Sequence, residues 1–129
     1  MEQDRPGFDQ AQDSMIRHYQ QGGDINEENM EDGTTPLITA AAAGHNKVAN
    51  YLLAHGVDAD RQNHEGHTAL IVAAQHGYAD VVLSLLNQGV DVNVQDNHGY
   101  TALMYASTNK HLDVVDHLLD NEAFVEIRK

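Results

Sequence analysis

The chain repeats itself every 33 residues, and this period constrains its fold more than any other feature. Gly33, Gly66 and Gly99 each open a segment of similar sequence. Alanine, valine and paired leucines return at fixed places: Ala40, Ala73 and Ala106; Val48, Val81 and Val114; Leu52-Leu53, Leu85-Leu86 and Leu118-Leu119. A fixed period of this length predicts stacked units, because one such unit cannot bury its apolar face alone.

The middle unit, residues 66–98, predicts two helices followed by an extended arm. Thr68 precedes an apolar series and is expected to cap the first helix, which Gly77 ends in a left-handed conformation. Apolar residues at helical spacing predict a second helix from about Ala79 to Gln88, and Gly89 stops it. Valines then alternate with polar residues up to a turn, which predicts an extended hairpin loop.

These segments resemble the ankyrin repeat family. The likeness rests on Thr35-Pro36-Leu37, on the run from Ala41 to His45, and on Leu-Leu-x-x-Gly sequences that end at Gly56 and Gly89. It covers residues 33–129 in three units. The resemblance implies an all-α repeat fold, an ankyrin-type solenoid of helix-turn-helix units with β-hairpin loops, and a concave face formed by the projecting loops.

The third unit departs from this pattern at both of its helix ends. Lys110 and Glu122 occupy the positions where the middle unit has glycine. These turns are expected either to be strained or to change geometry, with Asn109 or Asn121 taking the left-handed conformation that asparagine tolerates. Such a degenerate unit is typical of the end of a stack.

The repeat divides the chain into five predicted segments. Within the N-terminal cap a single helix is predicted from Asp13 to Gln21, and at the other end Phe124, Val125 and Ile127 are predicted to fold back onto the last helix. The segments are a flexible tail (1–8), an N-terminal half-repeat cap (9–32), two repeats (33–65 and 66–98), and a third repeat with a C-terminal cap (99–129).

Charge and composition restrict the classes of partner. Twenty acidic residues against seven basic ones give a net charge of −13, which would repel the phosphates of DNA or RNA. The excess of acid favours either solubility alone or a basic partner. No apolar run reaches 18 residues, the N-terminus is unlike a signal peptide, and there is no cysteine, so we expect a cytoplasmic, monomeric protein.

The resemblance also implies where a partner would bind, namely at the hairpin tips and on the exposed side of each first helix. Tyr100 and Tyr105 are the best candidate anchors, since tyrosine on a rigid scaffold is common among the residues that dominate binding energy. Leu83 is expected on the outward side of its own helix. The partner-binding residues predicted are Glu31, Asp32, Thr34, His64, Glu65, His67, Gln75, His76, Asn97, His98, Tyr100, Tyr105, Thr108 and Asn109.

No motif predicts catalysis, a metal or a cofactor. The run from His64 to His67 is one residue short of a zinc-protease fragment and lies in a turn rather than on a helix. Clustering of His64, His67, His76 and His98 would still permit adventitious zinc or nickel binding. Phosphate-binding glycine loops and nucleophile elbows are absent from the sequence. We therefore expect a protein that is not an enzyme.

Two functions remain after these exclusions. The leading hypothesis is a non-enzymatic protein–protein interaction module that binds a folded partner through its concave face. The alternative is an acidic inhibitor or immunity-type protein that neutralises a basic enzyme, supported by the net charge and by the acidic stretch from Asp24 to Asp32.

Overall fold

Three threonines begin three short helices in the same way. In the computed structural model, which describes residues 7–123, the hydroxyl oxygens of Thr35, Thr68 and Thr101 each accept a hydrogen bond from the amide three residues later. The donor–acceptor distances are 3.2–3.3 Å. The caps satisfy amides that the first helical turn leaves free. The capping role predicted for Thr68 is confirmed.

The described residues form helices and connecting loops. The predicted second helix of the middle unit is present and ends one residue earlier than expected. None of these helices is long and apolar enough to cross a membrane. The helices are α1 (Phe8–Gln20), α2 (Pro36–Ala43), α3 (Asn46–Ala54), α4 (Ala69–His76), α5 (Ala79–Asn87), α6 (Ala102–Thr108) and α7 (Leu112–Asp120).

The helices pack in two parallel rows. Each short helix contacts the longer one that follows it, so α2 pairs with α3, α4 with α5 and α6 with α7. Helices α2, α4 and α6 also contact one another in order and form an inner row, and α1, α3, α5 and α7 form an outer row. This is the stacked arrangement that the period predicts, and it confirms the all-α repeat fold.

The core is aliphatic and repeats with the sequence. Leu52, Leu85 and Leu118 are fully buried in the outer row. Alanines line the inner row, where a small side chain lets neighbouring helices approach closely; Ala40, Ala73 and Ala106 are at most 2% exposed. Leu83 is 39% exposed, on the outward side of α5 as predicted.

Left-handed residues end both helices of each pair, including the pair that lacks glycine there. Gly77 has φ 77° and Gly89 has φ 75°, as predicted. In the third unit Lys110 and Glu122 themselves take this conformation, with φ 61° and 68°. The idea that Asn109 or Asn121 would take it is wrong, because stacking on the preceding units fixes the position of the turn.

Helix α1 is longer than predicted, since it begins at Phe8 rather than at Asp13. The Phe8 ring packs edge-on against His45 at 5.1 Å. Gln12 is 3% exposed, and its side-chain oxygen accepts a hydrogen bond of 2.9 Å from the amide of Lys47 in the first turn of α3. A buried glutamine interrupts the apolar pattern, so the periodicity did not reveal this first turn.

The loops between the helix pairs turn back on themselves and lie side by side. Asn63 N–H donates to His67 O at 3.0 Å, and Asp96 N–H donates to Tyr100 O at 2.9 Å. Neighbouring tips are joined by further backbone bonds, including Asn97 N–H to the carbonyl of Glu65. Residues 7–123 contain no assigned β-strand, so the hairpin character of these loops stays a prediction.

Some predictions concern the ends of the chain. The packing of Phe124, Val125 and Ile127 and most of the predicted tail (residues 1–6 of 1–8) lie outside the described residues. The division at residues 33, 66 and 99 also stays a prediction.

Replacing Lys110 by glycine should stabilise the protein by about 0.5–1 kcal/mol, because glycine adopts a positive φ without strain. Gly89→Val is the matched opposite change. A Cβ at Gly89 would meet no atom within 4 Å, so the loss of more than about 1 kcal/mol that we expect would come from its φ alone. Urea unfolding measures both, and a neutral result for either contradicts the strain argument.

Stability should fall as the pH drops below 6.5 because of His45. Its Nδ1 is buried without a hydrogen-bond partner among the described residues, and burial lowers the pKa of this histidine from its ordinary 6.5. The unfolded chain therefore takes up a proton first, and stability is lost between pH 6.5 and the lower folded pKa. His45→Tyr, which copies Tyr78 at the same repeat position, should weaken this pH dependence in thermal unfolding. An identical pH dependence in both proteins contradicts it.

Candidate functional site

The predicted binding residues lie on one surface, which we call the loop face. It consists of the three loop tips (residues 29–34, 63–67 and 96–100) and the adjoining sides of the inner helices α2, α4 and α6. The backbone bonds between neighbouring tips hold them in line. Two cavities open on this face.

The first cavity, which we call the alanine groove, has a volume of about 440 Å³. Ala42 and Ala43 are exposed along α2, and their small side chains leave the groove shallow. Among the predicted binding residues it brings together Thr34, Glu65 and His67. It therefore joins the first two loop tips to the inner helices.

The second cavity, the aromatic pocket, has a volume of about 400 Å³ and is lined by Tyr100, Met104, Tyr105 and Thr108. The rings of Tyr100 and Tyr105 are 5.7 Å apart and nearly perpendicular, at 72°. Tyr100 is 45% exposed, whereas Tyr105 is partly buried. Three predicted binding residues thus meet at the C-terminal end of the loop face.

Asp96 organises this end of the face, and sequence analysis treated it only as part of a turn. Its side chain is completely buried. One carboxylate oxygen accepts hydrogen bonds from the amides of His98 and Tyr100, both at 2.9 Å. The other accepts the hydroxyl proton of Tyr105 and lies 3.2 Å from Nε2 of His67. A single carboxylate therefore ties the second and third loops to α6.

These contacts move two pKa values in opposite directions. Burial alone would raise the pKa of Asp96, but hydrogen bonds from Tyr105, Tyr100 and His98 and the attraction of His67 outweigh it, and the pKa lies below its ordinary range. Burial, followed by the hydrogen bond and negative charge of Asp96, raises the pKa of Tyr105 to about 12. The phenol therefore stays protonated and keeps donating at neutral pH.

The second loop approaches the third so closely that glycine is required between them. A Cβ on Gly66 would lie 2.7 Å from the backbone nitrogen of Asn97, and φ at Gly66 is 84°. The Asn97 side chain in turn donates to the carbonyl of His64 at 2.7 Å. Gly66, noted above only for its period, is thus needed for the alignment of the tips.

The other predicted residues lie on the loop face or at its edge without forming a cluster. The carboxylate of Asp32 accepts a hydrogen bond from the amide of Thr34 at 2.9 Å, and this bond is the main reason that its pKa is lowered. Asn109 donates to the carbonyl of Gln75 at 3.0 Å. The residues that are exposed and line neither cavity are Glu31, Asp32, His64, His76, Asn97, His98 and Asn109.

The four histidines considered for a metal do not come together. His67 faces Asp96, and His76 packs on Tyr78 with ring centres 5.8 Å apart. In residues 7–123 no group of three or more histidine, cysteine, aspartate or glutamate side chains could hold a metal ion.

A further cavity at the N-terminal end escaped sequence analysis. It measures about 330 Å³ and lies between α1, α2 and the loop that joins them, where the inner row has no helix beside α1. Met15 and Tyr19 contribute apolar surface, and Asp24, Glu27 and Glu28 contribute carboxylates. Glu28 is paired with Arg61 at 2.6 Å. This end of the molecule is therefore acidic.

Comparison with known proteins gives two findings. A family model described as "Ankyrin repeats (3 copies)" matches residues 9–96. A second, described as "Ankyrin repeats (many copies)", matches residues 85–126. Comparison with individual curated proteins found no match.

The variant Asp96→Asn should lower the pKa of Tyr105 from about 12 toward the ordinary value near 10. The fold should survive, because Asn63 already accepts hydrogen bonds from two amides of the second loop. Ultraviolet titration of the tyrosines measures the shift, and Tyr105→Phe identifies the signal. An unchanged titration curve would show that the carboxylate does not hold this phenol.

The same variant tests the contribution of Asp96 to stability. Because its folded pKa is lowered, the carboxylate stabilises the protein above its ordinary pKa of 3.8, and this contribution disappears as the pH falls through the folded pKa. Asp96→Asn should therefore be less stable than the wild type at pH 7, with a difference that shrinks at strongly acidic pH. A difference that is constant with pH contradicts this.

Proposed function

Because the chain belongs to the ankyrin repeat family, we propose that it binds a folded partner protein through its loop face. Ankyrin repeats are generally protein–protein interaction modules. The observation that carries the choice of surface is the joining of three loop tips into one rigid edge beside two cavities. A prealigned surface loses little conformational entropy on binding. The proposed module is a monomeric, cytoplasmic protein without enzymatic activity.

The predicted anchors differ in how firmly they are held. Tyr105 is fixed by its bond to Asp96 and by the edge of the His67 ring at 6.0 Å. Tyr100 extends beside it and is more exposed. A rigid, half-buried aromatic pair next to a shallow groove suits an anchor-and-groove contact, in which a few residues supply most of the binding energy.

The acidic-inhibitor function is the second candidate, and the N-terminal cavity favours it. Asp24 and Glu27 line that cavity, and the protein carries a net charge of −13. A basic enzyme would be attracted over about 8–10 Å at ordinary ionic strength, and salt would weaken this attraction.

To test the choice of surface, the wild-type protein captures partners from lysate of its source cell, and mass spectrometry identifies them. We expect Tyr100→Ala to weaken binding of the captured partner by about tenfold, as for a central aromatic anchor. Leu83→Ala, on the outward side of α5, is the matched control and should bind normally. Equal loss in both variants, or no loss in Tyr100→Ala, would place the partner elsewhere.

Salt distinguishes the two candidates in the same experiment. A basic partner that is bound at low salt and lost at high salt favours the inhibitor. A partner of ordinary charge that resists salt favours the general interaction module.

A further inference from the structure

The aromatic pocket has the geometry of a site for a planar cation. Two of its walls are the rings of Tyr100 and Tyr105, nearly perpendicular to one another. A cation over the face of a tyrosine ring is attracted by the negative charge of that face. Met104 and Thr108 complete the lining and offer contacts to an aliphatic stem.

Acidic groups surround this pocket. Asp96 lies directly behind Tyr105 and receives its hydroxyl proton. Glu65, in the neighbouring loop, is exposed and close enough for its charge to act on the Tyr105 phenol. Together with the excess of acid in the whole chain, these carboxylates make the pocket favour positive charge.

We propose that the aromatic pocket binds an arginine side chain of the partner, with the guanidinium placed against the rings of Tyr100 and Tyr105. This inference rests on the proposed function, because it identifies the partner group that the loop face receives. Arginine fits better than lysine for two reasons. Its planar head stacks on aromatic faces, and it is more weakly hydrated than an ammonium group.

Preorganisation supports the same inference. The Tyr105 ring is held at its hydroxyl by Asp96 and at its edge by His67, so one wall of the pocket is in place before binding. The volume of about 400 Å³ leaves room for the guanidinium and for part of its stem. Glu65 stands on the side from which a partner arriving along the alanine groove would enter, since it lines that groove as well.

The experiment uses nuclear magnetic resonance to follow the tyrosine ring signals of the full chain. The probe is N-acetyl-arginine amide, titrated at pH 8 so that His67 and His98 are largely neutral. The matched control ligand is N-acetyl-citrulline amide, which has nearly the same shape without the charge. We expect saturable shifts of the Tyr100 and Tyr105 signals with the arginine compound and weaker binding of its lysine counterpart. Citrulline should give none.

Three variants separate the ring from its bulk. Tyr100→Phe keeps an aromatic face and should bind the arginine compound within about twofold of the wild type. Tyr100→Leu keeps apolar bulk and should lose about two- to fivefold in affinity, the range of an exposed cation–π contact. Glu65→Gln should also weaken binding. Circular dichroism verifies that each variant is folded.

The possible outcomes distinguish this inference from the proposed function. Equal shifts with arginine and citrulline compounds, or no shifts at all, overturn the arginine site. The loop face then still stands if Tyr100→Ala weakens capture of the partner. If the arginine compound binds as expected while capture is unaffected by Tyr100→Ala, the pocket is real and the partner binds elsewhere.

Discussion

Close contact between the inner helices is the constraint on which the rest of the structure depends. Ala40, Ala73 and Ala106 present almost no side chain between α2, α4 and α6, so these helices can pack at short distance. That spacing in turn places successive loop tips within hydrogen-bonding distance, as between Asn97 and Glu65. The loop face is thus a consequence of the alanines beneath it, and a larger residue at any of the three positions would separate both layers together.

The repeat period was enough to predict most of the fold. It located the threonine caps and the buried leucines because each follows directly from helical spacing and from stacking. It failed at Lys110 because local preference favours a left-handed asparagine, whereas the stacked units fix which residue of the turn must be left-handed. It missed the first turn of α1 because Gln12 is buried for its hydrogen bond to α3 rather than for its apolarity.

The site was predicted in its location more than in its chemistry. Placing the binding residues at loop tips and on first helices follows from the family resemblance, and the structure brings several of them together. The role of Asp96 was not predicted, although the sequence carries a signal. Asp96 and Tyr105 stand where the middle unit has Asn63 and Val72, and the two changes complement each other, since the added carboxylate accepts the added hydroxyl. Paired departures from a repeat are therefore more informative than single ones.

One repeat position shows how a uniform scaffold acquires different ends. Thr39, Val72 and Tyr105 are 33 residues apart along the inner helices. Thr39 is exposed beside the acidic N-terminal cavity, Val72 is 7% exposed between two helices, and Tyr105 lines the aromatic pocket. Only the middle position is constrained by packing on both sides, so the outer two are free to carry polar and aromatic chemistry. The stack thus presents acidic surface at one end and an aromatic pocket at the other, while the same packing supports both.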